Sequence, residues 1–221
     1  MRETERLSSI ATQMAGGLEA AVRLVVDALF PVKALVRACR DFAAAYPAVE
    51  LRVETEVMSG VAEALRTRRS TLGISGPSGD FSALTRHQMP AIRMLAVASA
   101  KHILGRSSRT VSGEALREQV QIVLSERVEK GGPDQSVLSP RTYRVGDLHT
   151  KHQMITGALG WGHLPLHLIA GDLKRGRLKH IRSPALEPKG PLLQLWALHR
   201  TDQVLGAAHR WLLARLIEGC K

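Results

Sequence analysis

The side chains able to do chemistry in this sequence are few, and most carry a structural reading beside the functional one. His163 and His167 stand four residues apart, but Pro165 lies between them and no acidic residue adjoins, so metal ligation is not expected there. His149 and His152, one helical turn apart, read as exposed. Cys39 would serve as a nucleophile only if its thiol were accessible, and it falls within an apolar helical stripe. Gly76-Pro77-Ser78-Gly79 lacks the full G-x-S-x-G elbow, and no P-loop, H-E-x-x-H or G-x-G-x-x-G occurs. No catalytic residue, metal or cofactor follows from the sequence, and the chain is not expected to be an enzyme. Two residues suit ligand binding instead. Arg127 offers a bidentate fork to an anion, or pairs with Glu126 or Glu129. Trp161 offers a ring face to a ligand, or packs in a core.

The elements that must position these residues follow from periodicity. Leu7, Ile10, Ala11 and Met14 form an i, i+3, i+4, i+7 stripe, which predicts a short helix over residues 4–15, stopped by Gly16-Gly17. Ala20 to Val26 is a nearly unbroken apolar run, the signature of a buried strand. Pro31 suits the first turn of a helix running to Ala45, with Leu35, Val36, Cys39, Phe42 and Ala43 on one side; Tyr46-Pro47 ends it. Val49, Leu51, Val53 and Thr55 alternate with charged residues as in a half-buried strand. A helix from Val61 to Arg69 and a strand from Thr71 to Ser75 complete a β-α-β-α-β order, which implies a right-handed parallel sheet. Gly76 to Asp80 is a loop, and Leu84 to Ser99 is long and extended, interrupted at Met89-Pro90. Further on, helices are expected at Ser112–Gln119, Leu148–Ala158 and Gly206–Glu218, with a short helix after Pro165. Strands are expected at Val120–Leu124, Thr142–Val145 and Leu178–Ile181, and Leu192 to His199 is extended. Trp161 and His163 fall in a glycine-bounded turn ending at Leu164-Pro165. Two α/β lobes joined by two extended crossings predict a cleft, with ligands beside the carboxyl ends of strands and helix N-termini.

Composition sets the outer limits. A 221-residue chain with 44% apolar residues is long enough for two small lobes with real cores. Two cysteines, Cys39 and Cys220, make no disulfide framework and favour a reducing compartment. The first fourteen residues mix Glu3 and Glu5 with Arg2 and Arg6 and hold no apolar core of a signal peptide. Gln153 to Gly171, the longest stretch free of Asp, Glu, Lys and Arg, contains Pro165 and four glycines and suits a turn rather than a membrane span. A cytoplasmic protein without membrane contact is expected. The net charge of +11 invites a nucleic-acid reading, but 12 basic and 10 acidic residues lie before position 101, against 19 and 10 after it. The densest run, Lys174, Arg175, Arg177, Lys179 and Arg182, reads as a solvated face, with weak association with polyanions left open.

Against this background the segment Asp147 to Ile181, with its helix, Gly160-Trp-Gly-His-Leu164-Pro165 and the later Asp172-Leu-x-x-Gly176-x-Leu178, resembles the late half of the effector-binding domain of LysR-type transcriptional regulators. Phe42-Ala-Ala-Ala-Tyr46-Pro47-Ala-Val49-Glu50-Leu51 resembles the F-x-x-x-Y-P-x-V-x-L signature of that family, and Ala64-Leu65 through Ile74 stands at its L-x-x-G-x-x-D-L-x-I. Trp211-Leu212 sits where the family closes its first lobe. The resemblance implies an α/β fold of two Rossmann-like lobes with an interlobe cleft, of the type II periplasmic-binding-protein kind. It implies residues 1–17 as the end of a linker helix, residues 18–93 and 195–221 as lobe I, and 94–194 as lobe II. A small-molecule effector in the cleft and a homodimer, with a tetramer open to the full-length protein, are also implied. The family reads DNA through an N-terminal winged helix-turn-helix, which is expected to be missing here. A stand-alone solute-binding protein of the same fold is the rival reading.

Several positions depart from the family pattern. Arg68 and Thr71 stand at its common Gly and Asp, Ala158 at the first glycine of G-x-G, and Asp27 where a Gly, Ser or Thr often follows the first strand. A buried Asp27 repels the carboxylate effectors common in the family, or else caps the helix that starts near Pro31. Topology and resemblance together nominate Asp27, Leu29, Phe30, Ser75, Ser125, Arg127, Trp161 and His163 as effector-binding residues.

Overall fold

The computed structural model describes residues 19–107, 109–126 and 136–219. The helix expected at 4–15 and Arg127 lie outside them. In chain order β1 (Ala21–Asp27), α1 (Val32–Ala45), β2 (Glu50–Glu56), α2 (Gly60–Arg66), β3 (Leu72–Ser75) and β4 (Leu84–Gln88) belong to a first unit. A second unit, Ala91–Leu193, holds β5 (Ile92–Ser99), α3 (Ile103–Arg106), α4 (Gly113–Glu118), β6 (Gln121–Leu124), β7 (Thr142–Val145), α5 (Leu148–Thr156), β8 (Trp161–Pro165), α6 (Leu166–Lys174), β9 (Leu178–His180) and β10 (Leu192–Leu193). From Gln194 the chain is again in the first unit, with β11 (Trp196–Arg200) and α7 (Ala207–Glu218).

The first unit is built around β1. This strand pairs in parallel with β2 on one side and β3 on the other, giving the sheet order β2-β1-β3-β11-β4 with β11 antiparallel to β3 and β4. Val22, Leu24, Val25 and Val26 are buried, as the unbroken apolar run requires. Val25 joins Val61, Ala62, Ala64, Leu65, Leu84 and Leu198 in a core beneath α2. Gly73 lets α2 lie close: a Cβ there would sit 2.8 Å from Leu65 Cδ1 and 2.9 Å from Val61 Cγ1. α1 packs on α7 through the Phe42, Tyr46 and Trp211 rings, with centroids 5.4 to 6.1 Å apart. Ala38 and Phe42 are the buried residues of α1, whereas Val36 is 51% exposed, so the inner stripe is narrower than periodicity suggested. β2 is an edge strand, and its Val53 is also exposed rather than half-buried. Glu19 fastens α7 to the sheet: its carboxylate accepts from the Ala208 and His209 amides and bonds His209 Nδ1 at 2.6 Å. His209 Nε2 meets Thr71 Oγ1 at 2.9 Å, and Thr71 in turn bonds both backbone groups of Arg23.

In the second unit β6 pairs in parallel with β7 and β8, while β5 runs antiparallel to β8, β9 and β10. Ala96, Ala98, Leu104, Val111, Leu116, Trp161 and Ile181 form a core cluster in it. The turn expected around Trp161 and His163 is instead strand β8, buried between β5 and β6. Its glycines mark close backbone approach, not a turn: a Cβ on Gly160 would collide with the Val120 carbonyl, and one on Gly162 would lie 2.6 Å from the Ile122 carbonyl oxygen. The extended segment 84–99 is two strands, broken at Met89-Pro90 and placed one in each unit.

Arg68 and Ala158, standing at two glycines of the resembled pattern, have φ of 61° and 65°. A side chain in this left-handed region is strained. Ala158→Gly is therefore expected to raise stability by about 0.5–1 kcal/mol, read as a higher midpoint in urea unfolding with an unchanged slope.

Candidate functional site

Each unit carries some of the candidate side chains, those of the first unit at the carboxyl ends of its parallel strands. In the first unit β1 ends on Asp27 and β3 on Ser75, on neighbouring strands. The Asp27 side chain is 3% exposed. Its Oδ1 accepts the Leu29 N–H at 2.8 Å and its Oδ2 the Gly76 N–H at 3.4 Å, so one carboxylate holds the turn after β1 and the exit of β3. It does not cap α1, whose N-cap is Pro31 without a side-chain bond. Burial pushes the Asp27 carboxyl up to about 6, against the two amide hydrogen bonds that lower it. Ser75 is fully buried, and its hydroxyl has no hydrogen-bond partner. Phe30 is buried beside this end and Leu29 half-buried. Asp27, Leu29, Phe30 and Ser75 are thus brought to one end of one sheet, Asp27 satisfied and Ser75 not.

In the second unit Ser125 follows β6, half-buried, and extends the pairing with β7 through its N–H to the Val145 carbonyl at 3.0 Å. Trp161 is not available to a ligand: it is 0% exposed, and its indole N–H donates to the Leu116 carbonyl at 3.1 Å. A buried indole needs such a partner, and the bond fixes the ring in the core. His163, two residues on, touches the Trp161 ring edge-on at 5.9 Å. Burial, then the nearby charge of Lys151, push the His163 imidazole down to about 4, so it is neutral at physiological pH.

Lys151 itself was not anticipated. It lies on the inner face of α5, 7% exposed, in line with buried Leu148 and Ile155. Burial holds its amine down to about 8. Gly162 makes room for its stem, since a Cβ there would lie 3.4 Å from Lys151 Cε. The signal was present in the sequence, because Leu148, Lys151 and Ile155 fall at i, i+3 and i+7 of one helical stripe. His152 also departs from expectation: its Nε2 bonds Asp172 at 2.7 Å, while Arg177 binds the same carboxylate through Nε and Nη2. Burial, which alone would raise Asp172, is outweighed by the hydrogen bonds from Arg177 and His152, leaving it below the usual range. Lys174, Arg175, Lys179 and Arg182 are exposed. Among the described residues no group of three or more His, Cys, Asp or Glu is placed to hold a metal, and no helix is long and apolar enough to cross a membrane.

Comparison with known proteins bears on what such an end-of-sheet arrangement serves. Residues 15–221 match the family model of the LysR substrate binding domain. The chain belongs to that family. It is 24% identical over 223 aligned positions to the probable HTH-type transcriptional regulator YhaJ of Escherichia coli K12, covering 98% of this chain and 72% of the relative. Among solved structures, the regulatory domain of Synechocystis PCC6803 CcmR in complex with 2-PG superposes with a TM-score of 0.73 at 17% identity, covering 92% of this chain and 98% of that one. The effector binding domain of QuiR in complex with shikimate gives 0.70 at 8% identity, over 92% and 98% of the two chains. The fold is therefore the type II periplasmic-binding-protein-like fold of LysR regulatory domains.

Asp27 is the buried acid of the first unit, and its titration makes a stability signature. Its folded-state pKa of about 6 lies above the ordinary 3.8, so the folded form holds the proton more tightly and wild-type stability declines as pH rises from about 4 to 6. Asp27→Asn removes that contribution. Its stability relative to wild type is expected to rise by about 3 kcal/mol between pH 3.5 and pH 7, at about 1.4 kcal/mol per pH unit, measured by urea unfolding at both pH values.

Proposed function

We propose that this LysR substrate-binding domain senses a small molecule, with Asp27 and Ser75 at the carboxyl ends of β1 and β3 in one unit, and Ser125 after β6 and His163 on β8 in the other, as the residues that receive it. The observation that carries the reading is the fully buried Ser75 hydroxyl without a partner, at the end of β3 beside Asp27. Native folds rarely leave such a group unsatisfied, and a ligand hydrogen bond would satisfy it. The likeness to domains in complex with 2-PG and with shikimate supports a small-molecule effector here. Effector binding would act by favouring one arrangement of the units over another, and DNA would be read by a winged helix-turn-helix outside residues 1–221. In this reading the chain is a cytoplasmic transcriptional regulator and not an enzyme, in keeping with its likeness to the regulator YhaJ.

A thermal-shift screen against organic acids, amino acids, amines and nucleobases tests it. An effector at a hundred times its Kd adds about 2.7 kcal/mol, an easily resolved rise in Tm. Ser75→Ala and Ser125→Ala are expected to weaken a true effector about tenfold each, the loss of about one good hydrogen bond. Hits untouched by both substitutions would refute the location.

We further infer a homodimer. Val32 (65% exposed) and Val36 (51%) lie on the outer face of α1, and β2, an edge strand of the same unit, bears exposed Val53; in the other unit β7 is an edge strand bearing Tyr143, 49% exposed. Exposed apolar groups beside open strand edges suit burial against a second copy. Val36→Glu is expected to shift the protein from dimer to monomer in sedimentation velocity without loss of helical signal in circular dichroism.

A further inference from the structure

Two stretches of the second unit, residues 100–113 and 173–186, hold no Asp or Glu, and between them carry Lys101, Arg106, Arg109, Lys174, Arg175, Arg177, Lys179 and Arg182. The fold sets the stretches side by side. β5 pairs with β9 up to Ser99–Leu178, Ala100 N–H donates to the Arg177 carbonyl at 2.8 Å, and Val111 N–H donates to the Arg182 carbonyl at 2.8 Å. α3 packs on β9 between these two bonds. All eight basic side chains are exposed. Arg177 is bound to Asp172, and the other seven enter no ion pair among the described residues. The Arg175 guanidinium lies over Gly171, and Lys179 Nζ lies over the Gly176 turn, 3.9 Å from where a Cβ would stand. Burial, then the Arg182 charge, hold the His180 imidazole below its ordinary range, a sign of like charges crowded together. Local devices account for part of the band: Arg106, Lys174 and Arg175 complement helix carboxyl ends, and Lys179 guards an open strand edge. Lys101, Arg109 and Arg182 end no helix and lie on no strand. Neither device excludes carboxylates from both stretches, and the self-repulsion that results is a cost to the fold.

We infer that this band holds the phosphate backbone of duplex DNA, gripping it without reading its sequence. The residue types missing from the band narrow its partner. Neither stretch has Phe, Tyr or Trp, so the bases of a single strand find no platform to stack on. Ile103 is the one large apolar side chain exposed in either stretch among the described residues, too little for the core of a protein interface or for insertion into lipid. Duplex DNA needs neither, because phosphate contacts alone supply non-specific affinity. β9 lies across β5 from β8, on the opposite side of the sheet from β7, so the band is separate from the edge assigned above to a second copy. The inference rests on the regulator reading for the presence of a duplex, and not on where an effector binds.

Fluorescence anisotropy of the whole chain with two labelled duplexes of unrelated sequence, between about 50 and about 200 mM NaCl, tests it. Both duplexes are expected to bind alike, with Kd of roughly 1–100 μM near physiological salt. The logarithm of the association constant is expected to fall against that of salt with a slope of about −5, as for about six phosphates neutralised. Lys179→Glu/Arg182→Glu is expected to weaken binding at least tenfold and to flatten the slope by about 2. Lys101→Glu/Arg109→Glu, from the other stretch, is expected to do the same, and either pair suffices if the other does not fold. Arg40→Glu/Arg210→Glu makes an equal change of net charge on the first unit and is expected to weaken binding far less. Absence of duplex binding at the lowest salt, equal weakening by all three pairs, or tighter binding to a single strand or to phosphatidylserine vesicles than to the duplex would overturn the inference. A full-length protein that binds no operator, while this chain still grips a duplex through the band, would count against the regulator reading alone.

Discussion

Parallel pairing of β1 on both of its edges is the constraint from which the first unit follows. A strand hydrogen-bonded on both sides and covered on both faces must be apolar almost throughout, and Ala21 to Val26 is, save for Arg23. Parallel neighbours cannot be joined by hairpins, so the chain must leave the sheet and return through α1 and α2. Those crossovers bring the ends of β1 and β3 together, and the residue ending β1 is the first free of the apolar requirement. That residue is Asp27. Its carboxylate accepts two amide hydrogen bonds from the turns that the crossovers create, which offsets part of the cost of burying it.

The same architecture explains what the sequence revealed and what it hid. The β-α-β-α-β order was legible because β1 and β3 are short apolar runs and the helices between them carry 3.6-residue stripes bounded by Pro31, Pro47 and Gly60. Strand β8 was not legible, because its glycines and proline are the residues that ordinarily break structure. Here Gly160 and Gly162 allow the backbone to lie against the Val120 and Ile122 carbonyls, a requirement set by residues some forty positions away. Trp161 was ambiguous for a related reason: only the tertiary fold supplies the Leu116 carbonyl that turns a candidate ligand platform into a core residue. His152 likewise became a bonded residue only when α6 delivered Asp172 to it. Family resemblance carried information that periodicity lacked, since the glycines replaced by Arg68 and Ala158 mark two positions where the backbone is left-handed.

The candidate site was legible in part. Strand order, the rule that parallel sheets bind at their carboxyl ends, and the family resemblance together nominate Asp27, Ser75 and Ser125. They were not enough to say which of these groups is already satisfied. Asp27 has two partners and Ser75 none, a distinction that depends on the position of the Gly76 amide and cannot be read from residue types. Lys151 is hard to single out in the sequence because a lysine in a helix is usually solvated, and only its place in the Leu148–Ile155 stripe marks it as inward-facing.

Asp27 and Lys151 show two ways of keeping a charge inside a small α/β unit. The acid is held by backbone amides, so its ionised form has somewhere to place its charge, and its pKa still rises. The amine has only its methylene stem packed, and nothing in its surroundings favours the ionised form. A protein stable by about 5–15 kcal/mol in all has little room for an uncompensated charge of this kind. Stability therefore gives no reason for a lysine at position 151 in place of methionine or leucine.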